Sequence, residues 1–158
     1  MKFSHLVEIN DPLNPLIDPL SREQLWRGLV LRAEQPKMFV PWLDECHILS
    51  RSETTLERKL RYGDSVVRDS VTLEPQMQVR YHVPQQHEIP ASDLNMTIEE
   101  PQPGYLFVRF EYDDYKPQEE DQANALYDDF RRSAYKEADI DTVRVIRQLA
   151  ATGSLDQN

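Results

Sequence analysis

The chain has 158 residues, of which 39% are hydrophobic and 29% charged, the proportions of a water-soluble globular protein long enough to bury a core without staples. Its 18 Lys and Arg against 28 Asp and Glu give a formal net charge of -10, a field that repels phosphate backbones and anionic lipid and argues against nucleic acid or membrane partners. No apolar run approaches the roughly 20 residues of a membrane span, and Glu8, Asn10 and Asp11 interrupt any signal-peptide core.

The single cysteine, Cys46, excludes an internal disulfide and predicts a reducing, cytoplasmic setting. One domain over residues 1–158 is expected.

Residues 3–9 read as a first strand with Phe3, His5, Val7 and Ile9 on one face. Pro12, Pro15 and Pro19 break the next segment, whose Leu13, Leu16, Ile17 and Leu20 predict an ordered loop that packs down. Ser21 and Gln24 have capping-box spacing, and Leu20 with Leu25 has the spacing of a hydrophobic staple. A helix therefore starts at Ser21, with Leu25, Trp26, Leu29 and Val30 on its apolar face, and Pro36 ends it. Only one short turn of helix fits before Pro41.

From Asp44 to Tyr112 the period changes to two, with strands expected at 45–50, 54–62, 65–74, 77–83, 92–99 and 105–112. Gly63-Asp64 is a two-residue hairpin loop of the primed type, so Tyr62 faces Ser65. In that register Leu60 opposes Val67, Arg58 opposes Asp69 and Leu56 opposes Val71 on one face. The other face carries Lys59 against Arg68, like charges best left in water, so the first face is the inner one. A three-residue loop, Glu74-Pro75-Gln76, would place Val79 opposite Val71 and Tyr81 opposite Asp69. In the last strand Leu106, Val108, Phe110 and Tyr112 are expected to point inward, although Tyr105 and Phe107 on the other face leave the opposite choice open.

Residues 118–151 are helical by composition. Ala123, Leu126, Tyr127, Phe130 and Ala134 form one stripe, and Ile140, Val143, Ile146 and Leu149 a second, slightly out of phase. An unbroken helix of that length would span roughly 50 Å, so a kink or break is expected near Asp139, which could serve as a cap. Gly153 suits the final stop. The acidic stretch 112–121 reads as a solvated loop.

Chemistry is harder to find. The four glycines, Gly28, Gly63, Gly104 and Gly153, form no phosphate or dinucleotide loop, and no G-x-S-x-G elbow exists. His5, His47, His82 and His87 have no familiar metal spacing, so neither metal nor cofactor is expected. Cys46 and His47 are strand neighbours that point to opposite faces, so they cannot pair as nucleophile and base; Cys46 reads as an ordinary core residue. The row Arg58, Asp69 and Tyr81 on an apolar face is either a cross-strand ion pair worth ~0.2–1 kcal/mol or part of a cavity. In the second case Arg58 takes a ligand carboxylate or hydroxyl and Tyr81 orients it. His5 is either a satisfied core histidine or a pocket residue. Tyr62, Phe110, Tyr112, Tyr127 and Phe130 are placed to line a space between sheet and helix, or simply to fill it. Trp42 is placed to plug one end of the sheet or edge a pocket mouth.

The order of elements, with the stretches LSREQLWRGLVLRAEQPKMFVP (Leu20 to Pro41) and AYKEADIDTVRVIRQLA (Ala134 to Ala150), resembles the helix-grip fold of the START and pollen-allergen-like superfamily, SRPBCC, and more closely its AtaL-like branch. The resemblance implies an α+β fold, a seven-stranded curved antiparallel sheet around a long C-terminal helix, with two short helices after the first strand. It also implies a sheet-and-helix pocket suited to hydrophobic ligands, and transfers no catalytic set. Binding of a hydrophobic or amphipathic small molecule is the leading expectation. A cyclase, dehydratase or hydrolase-like enzyme using Arg58, Asp69, Tyr81 and His5 is the second, and a protein-interaction module the third.

Overall fold

The computed structural model describes residues 1–116 and 122–156. β1 (Lys2–Asn10) is followed by α1 (Arg22–Glu34) and a 3-10 turn at Pro36–Met38, the one short turn of helix expected before Pro41. Six further strands come next: β2 (Glu45–Arg51), β3 (Thr55–Tyr62), β4 (Ser65–Glu74), β5 (Gln78–Val83), β6 (Ser92–Gln102) and β7 (Tyr105–Asp113). α2 (Gln122–Ala151) closes the fold. The curved sheet is antiparallel throughout, in the order β1-β7-β6-β5-β4-β3-β2. Irregular pairing at Glu8/Asn10, Ile48/Ser50 and Glu99/Gln102 bends individual strands, as an extra residue on one side of a ladder does.

Local chemistry sets most boundaries. Ser21 accepts from the Gln24 N–H while the Gln24 side chain accepts from the Ser21 N–H, a complete capping box. At the other end of the chain Gly153, at φ 77°, donates to Ala150 O and Ser154 donates to Leu149 O, the Schellman closure. The β3–β4 hairpin has the expected register from Tyr62 opposite Ser65 to Leu56 opposite Val71. Gly63 at φ 58° supplies the left-handed first position of its turn.

The next hairpin differs by two residues in register. Val71 faces Tyr81 and Leu73 faces Val79, where Val79 and Tyr81 were expected opposite Val71 and Asp69. Met77 N–H bonds Glu74 O at 2.9 Å and Gln76 has φ 59°, a type II turn with Pro75 at its second position. That turn leaves Glu74 in the strand and Met77 in the loop. The inner face is unchanged because the shift moves the pairing by two.

The core lies between the concave face of the sheet, α1 and the C-terminal half of α2, with Leu56, Val71, Val79, Met96, Val108 and Phe110 fully buried. α1 and α2 meet where Gly28 lies against Ile146; a Cβ there would sit 2.7 Å from Ile146 Cγ2. The 11–19 loop does not pack down as expected: Leu13 and Leu16 are exposed and only Leu20 is buried. Asp11 and Asn14 side chains accept from Leu13 and Leu16 N–H, so the loop satisfies its own backbone without burying these leucines. Asn10 clamps its far end through both backbone groups of Leu20.

α2 is one unbroken helix of 30 residues, about 45 Å long. The expected break near Asp139 is absent, and Asp139 is a buried mid-helix residue. The inward face runs Tyr135, Asp139, Val143, Ile146 and Ala150, so the stripe looked out of phase only because a carboxylate occupies a core-facing position. The expected first stripe is turned outward: Leu126, Tyr127 and Phe130 are 60%, 63% and 68% exposed. Ile140 is likewise exposed, because it is not on the face that holds Asp139 and Val143. Ala123 lies outside the described side chains, as does the 117–121 part of the acidic stretch. Among the described residues, no helix is long and apolar enough to cross a membrane.

Candidate functional site

A cavity of about 410 Å³ opens between the concave face of the sheet and the middle of α2. Its inner end is formed by Arg58, Asp69 and Tyr81 from β3, β4 and β5 together with Arg32 from the last turn of α1. Tyr62, Ile89, Leu94, Tyr112 and Tyr135 form its sides. Asp93, Asp113, Asp114, Lys116 and Arg131 stand at the more exposed end.

At the inner end, Arg58 and Asp69 are 4% and 6% exposed and joined by two bonds, Nε to Oδ1 at 2.8 Å and Nη2 to Oδ2 at 2.5 Å. Arg58 Nη1 also donates to Ala33 O at 2.9 Å. This is a bidentate pair with its third nitrogen satisfied by the helix, the arrangement a desolvated ion pair requires. Tyr81 lies beneath two guanidinium groups, with Arg58 Cζ 5.1 Å and Arg32 Cζ 5.2 Å from its ring centroid. Its hydroxyl is buried, and among the described residues its proton has no acceptor.

A second polar group sits behind the cavity wall. Tyr112 donates to Asp139, with its Oη 2.6 Å from Oδ1 and 2.8 Å from Oδ2, and His5 Nε2 lies 2.6 Å from Oδ2. Burial pushes the Asp139 carboxyl above its usual range, opposed by the Tyr112 and His5 hydrogen bonds and by the charges of His5 and Arg32. Burial also raises the Tyr112 phenol, reinforced by the charge and hydrogen bond of Asp139, so Tyr112 keeps its proton. Tyr135 stacks on Tyr112 at 3.9 Å and 10°, and His5 stacks between Phe3 and Phe110. The arrangement holds a proton donor, Tyr112, on the cavity surface, backed by a buried carboxyl and an imidazole.

At the mouth, burial alone would raise Asp114. Hydrogen bonds from the Met1 amine, the Lys116 N–H and Arg131 instead hold its carboxyl at about 2. A separate hollow of about 370 Å³ lies under the 16–20 loop beside Arg147, whose guanidinium donates to Asp18 O and Ile9 O and so ties the loop to α2. Among the described residues, no three His, Cys, Asp or Glu side chains converge as metal ligands do.

The structure brings Arg58, Asp69, Tyr81, Tyr62 and Tyr112 to one cavity, out of the eight residues singled out from the sequence. His5 lies beside it, bonded to Asp139 and not on its surface. Phe110 is fully buried core, and Phe130 faces solvent on the outer side of α2; neither lines the cavity. Tyr127 is exposed with it, and Trp42, 67% exposed, plugs nothing. Cys46 is half-buried, its thiol pushed up by desolvation.

Sequence reasoning missed Arg32 and Tyr135, and took Asp139 for a cap. A signal was available: Arg32 is four residues from Gly28 and three from Leu29, and Asp139 four from Val143, so each places a charge on or beside a core-facing stripe.

The family model described as AtaL, acetylaranotin biosynthesis cluster protein L, matches residues 7–153. No curated protein sequence matches the chain. Among solved structures, the Zhui aromatase/cyclase from Streptomyces sp. R1128 aligns with a TM-score of 0.65 at 10% identity, covering 98% of this chain and 95% of that one. A START superfamily protein from Mycobacterium smegmatis aligns at 0.58 and 14% identity, covering 94% and 98%. The Aha1 dimer from Colwellia psychrerythraea aligns at 0.56 and 14%, covering 89% and 91%. At these identities the likeness is one of fold.

Proposed function

We propose that this chain, which belongs to the AtaL family, binds an amphipathic small molecule in the cavity between the sheet and α2, with residues 1–158 acting as one domain. The observation that carries this reading is the cavity itself, aliphatic and aromatic along its sides and cationic at its inner end. At about 410 Å³ it is in the size range of small-molecule sites, and a few placed polar groups on apolar walls are what such sites use for orientation. The net charge of -10 supports a small-molecule partner over nucleic acid or a membrane, and one half-buried thiol suits a reducing compartment such as the cytoplasm.

Native mass spectrometry and thermal-shift screening against aromatic acids, polyketide-like phenols and fatty acids test the reading. A ligand present at 100 times its Kd stabilises the fold by about 2.7 kcal/mol. Leu94→Trp, which fills the cavity from β6, should abolish that shift while the protein stays folded. No stabilisation by any member of the panel would refute the proposal.

A second reading is favoured by one observation: Tyr112 borders the cavity and its hydroxyl is backed by Asp139 and His5. Such a relay suits proton transfer in a cyclase or dehydratase, reactions that begin by enolising a carbonyl compound. Deuterium exchange at the activated carbon of a 1,3-diketone, compared between wild type and Tyr112→Phe, tests it. Exchange at the buffer rate in both would exclude it.

A further inference from the structure

Among the cationic side chains that line the cavity, Arg58 and Arg131 have their partners. Arg58 is held by Asp69 and Ala33 O, and Arg131 by Asp114 and the Tyr135 hydroxyl. Arg58 was the residue expected from the sequence to meet a ligand carboxylate, but all three of its nitrogens are engaged. Arg32 differs. Its Nε reaches Thr142 Oγ1 at 3.4 Å, the outer limit of a hydrogen bond; its terminal nitrogens meet the Tyr81 hydroxyl, and among the described residues no carboxylate or carbonyl pairs with them. Burial opposes the Arg32 charge, and Tyr81, then Tyr112 and Asp139, favour it through space; Asp139 is hydrogen-bonded to Tyr112 and His5 and forms no ion pair with Arg32.

The Tyr81 side chain, only 6% exposed, lines the same corner with its hydroxyl proton lacking an acceptor and the Arg32 guanidinium over its ring. A guanidinium without a carboxylate partner beside a phenol whose proton has no acceptor, both in a largely buried corner, calls for an acceptor with two oxygens and a negative charge. The opposite end of the cavity carries Asp93, Asp113 and Asp114 beside Lys116, Arg131 and the Met1 amine, so cations and carboxylates balance there, and Asp114 already takes Arg131 and the amine.

We propose that the Arg32–Tyr81 corner is a carboxylate subsite, and that the ligand is an aromatic carboxylic acid bound acid-first. Arg32 donates paired N–H bonds to the carboxylate, and Tyr81 donates its O–H to one of the same oxygens. The hydrocarbon body then runs past Leu94, Tyr62 and Tyr112 toward the mouth. This inference rests on the cavity being a ligand site, and it adds the ligand's chemical class and direction.

Isothermal titration of the full chain with 2-naphthoate and with its neutral isostere, 2-naphthamide, separates the two claims. The acid should bind wild type at least roughly tenfold more tightly than the amide, since a charge-assisted bidentate contact is lost in the amide. Arg32→Gln should remove that preference by weakening the acid far more than the amide, whereas Arg32→Lys should restore part of it. Tyr81→Phe should weaken acid binding several-fold. Equal binding of acid and amide by wild type, a comparison that needs no variant to fold, overturns the carboxylate subsite but keeps the binding cavity. A preference that survives Arg32→Gln also overturns the subsite, and failure of both probes to bind overturns subsite and cavity reading together.

Discussion

The Arg58–Asp69 pair carries a stability prediction whose size follows from its surroundings. Both side chains are almost fully buried, and three hydrogen bonds of 2.5–2.9 Å satisfy the guanidinium. Asp69→Leu removes the carboxylate and leaves Arg58 with Ala33 O and the Tyr81 ring, neither of which neutralises its charge. Breaking a buried pair from one side costs about 3–5 kcal/mol, and Arg58→Met, which strands Asp69, belongs to the same class. The double variant Arg58→Met/Asp69→Leu leaves no buried charge and keeps most of the volume. It should therefore lie within about 2 kcal/mol of wild type. Urea unfolding followed by the fluorescence of Trp26 and Trp42 gives all four corners of the cycle. The coupling energy should reach about 3 kcal/mol or more. Single substitutions that cost under about 1 kcal/mol and simply add would refute the argument, because that is how an ion pair open to water behaves.

Other consequences follow from packing and proton binding. Gly28→Ala gains about 1 kcal/mol of helix propensity but sets a methyl 2.7 and 2.8 Å from two carbons of the fully buried Ile146. Overpacking of ~1–3 kcal/mol should prevail, and a raised urea midpoint would show that Ile146 can move aside. Phe110→Ala should cost ~3–5 kcal/mol, whereas Phe130→Ala, on the solvent face of α2, should change stability by under ~0.5 kcal/mol. A large loss at Phe130 would mean that this face is covered. Asp139 binds its proton more tightly folded than unfolded, since its carboxyl is raised from the ordinary 3.8. Its contribution is fully present below 3.8 and lost as pH rises through the folded value. Asp139→Asn cannot ionise there, so it should gain on wild type as pH climbs from about 4 toward 7. Midpoints that track each other across that range would contradict the raised value.

The strands, the Ser21 capping box, the Gly153 stop and the β3–β4 register were legible in the sequence because each depends on residues a few positions apart. A period of two, a left-handed glycine or a reciprocal cap needs no knowledge of the rest of the chain. The β4–β5 hairpin shows the limit of that reasoning. Parity alone assigned Tyr81 to the inner face, while the turn at Pro75 and Gln76 decided the step. The pairing of Arg58 with Asp69 was likewise readable from the Gly63-Asp64 turn, but their burial was not, because burial depends on what covers the sheet.

Tertiary structure decided which face of α2 is buried. Leu126, Tyr127 and Phe130 make as good an apolar stripe as Val143 and Ile146, and nothing local says which face meets the sheet. The choice went to the face bearing Asp139 and Tyr135, although it buries a carboxylate, because Tyr112 and His5 on neighbouring strands supply that carboxylate with two hydrogen bonds. Those partners lie 27 and 134 residues away in the chain. For the same reason Arg32 and Tyr81, 49 positions apart by their numbers, became one corner only when α1 was laid across the sheet.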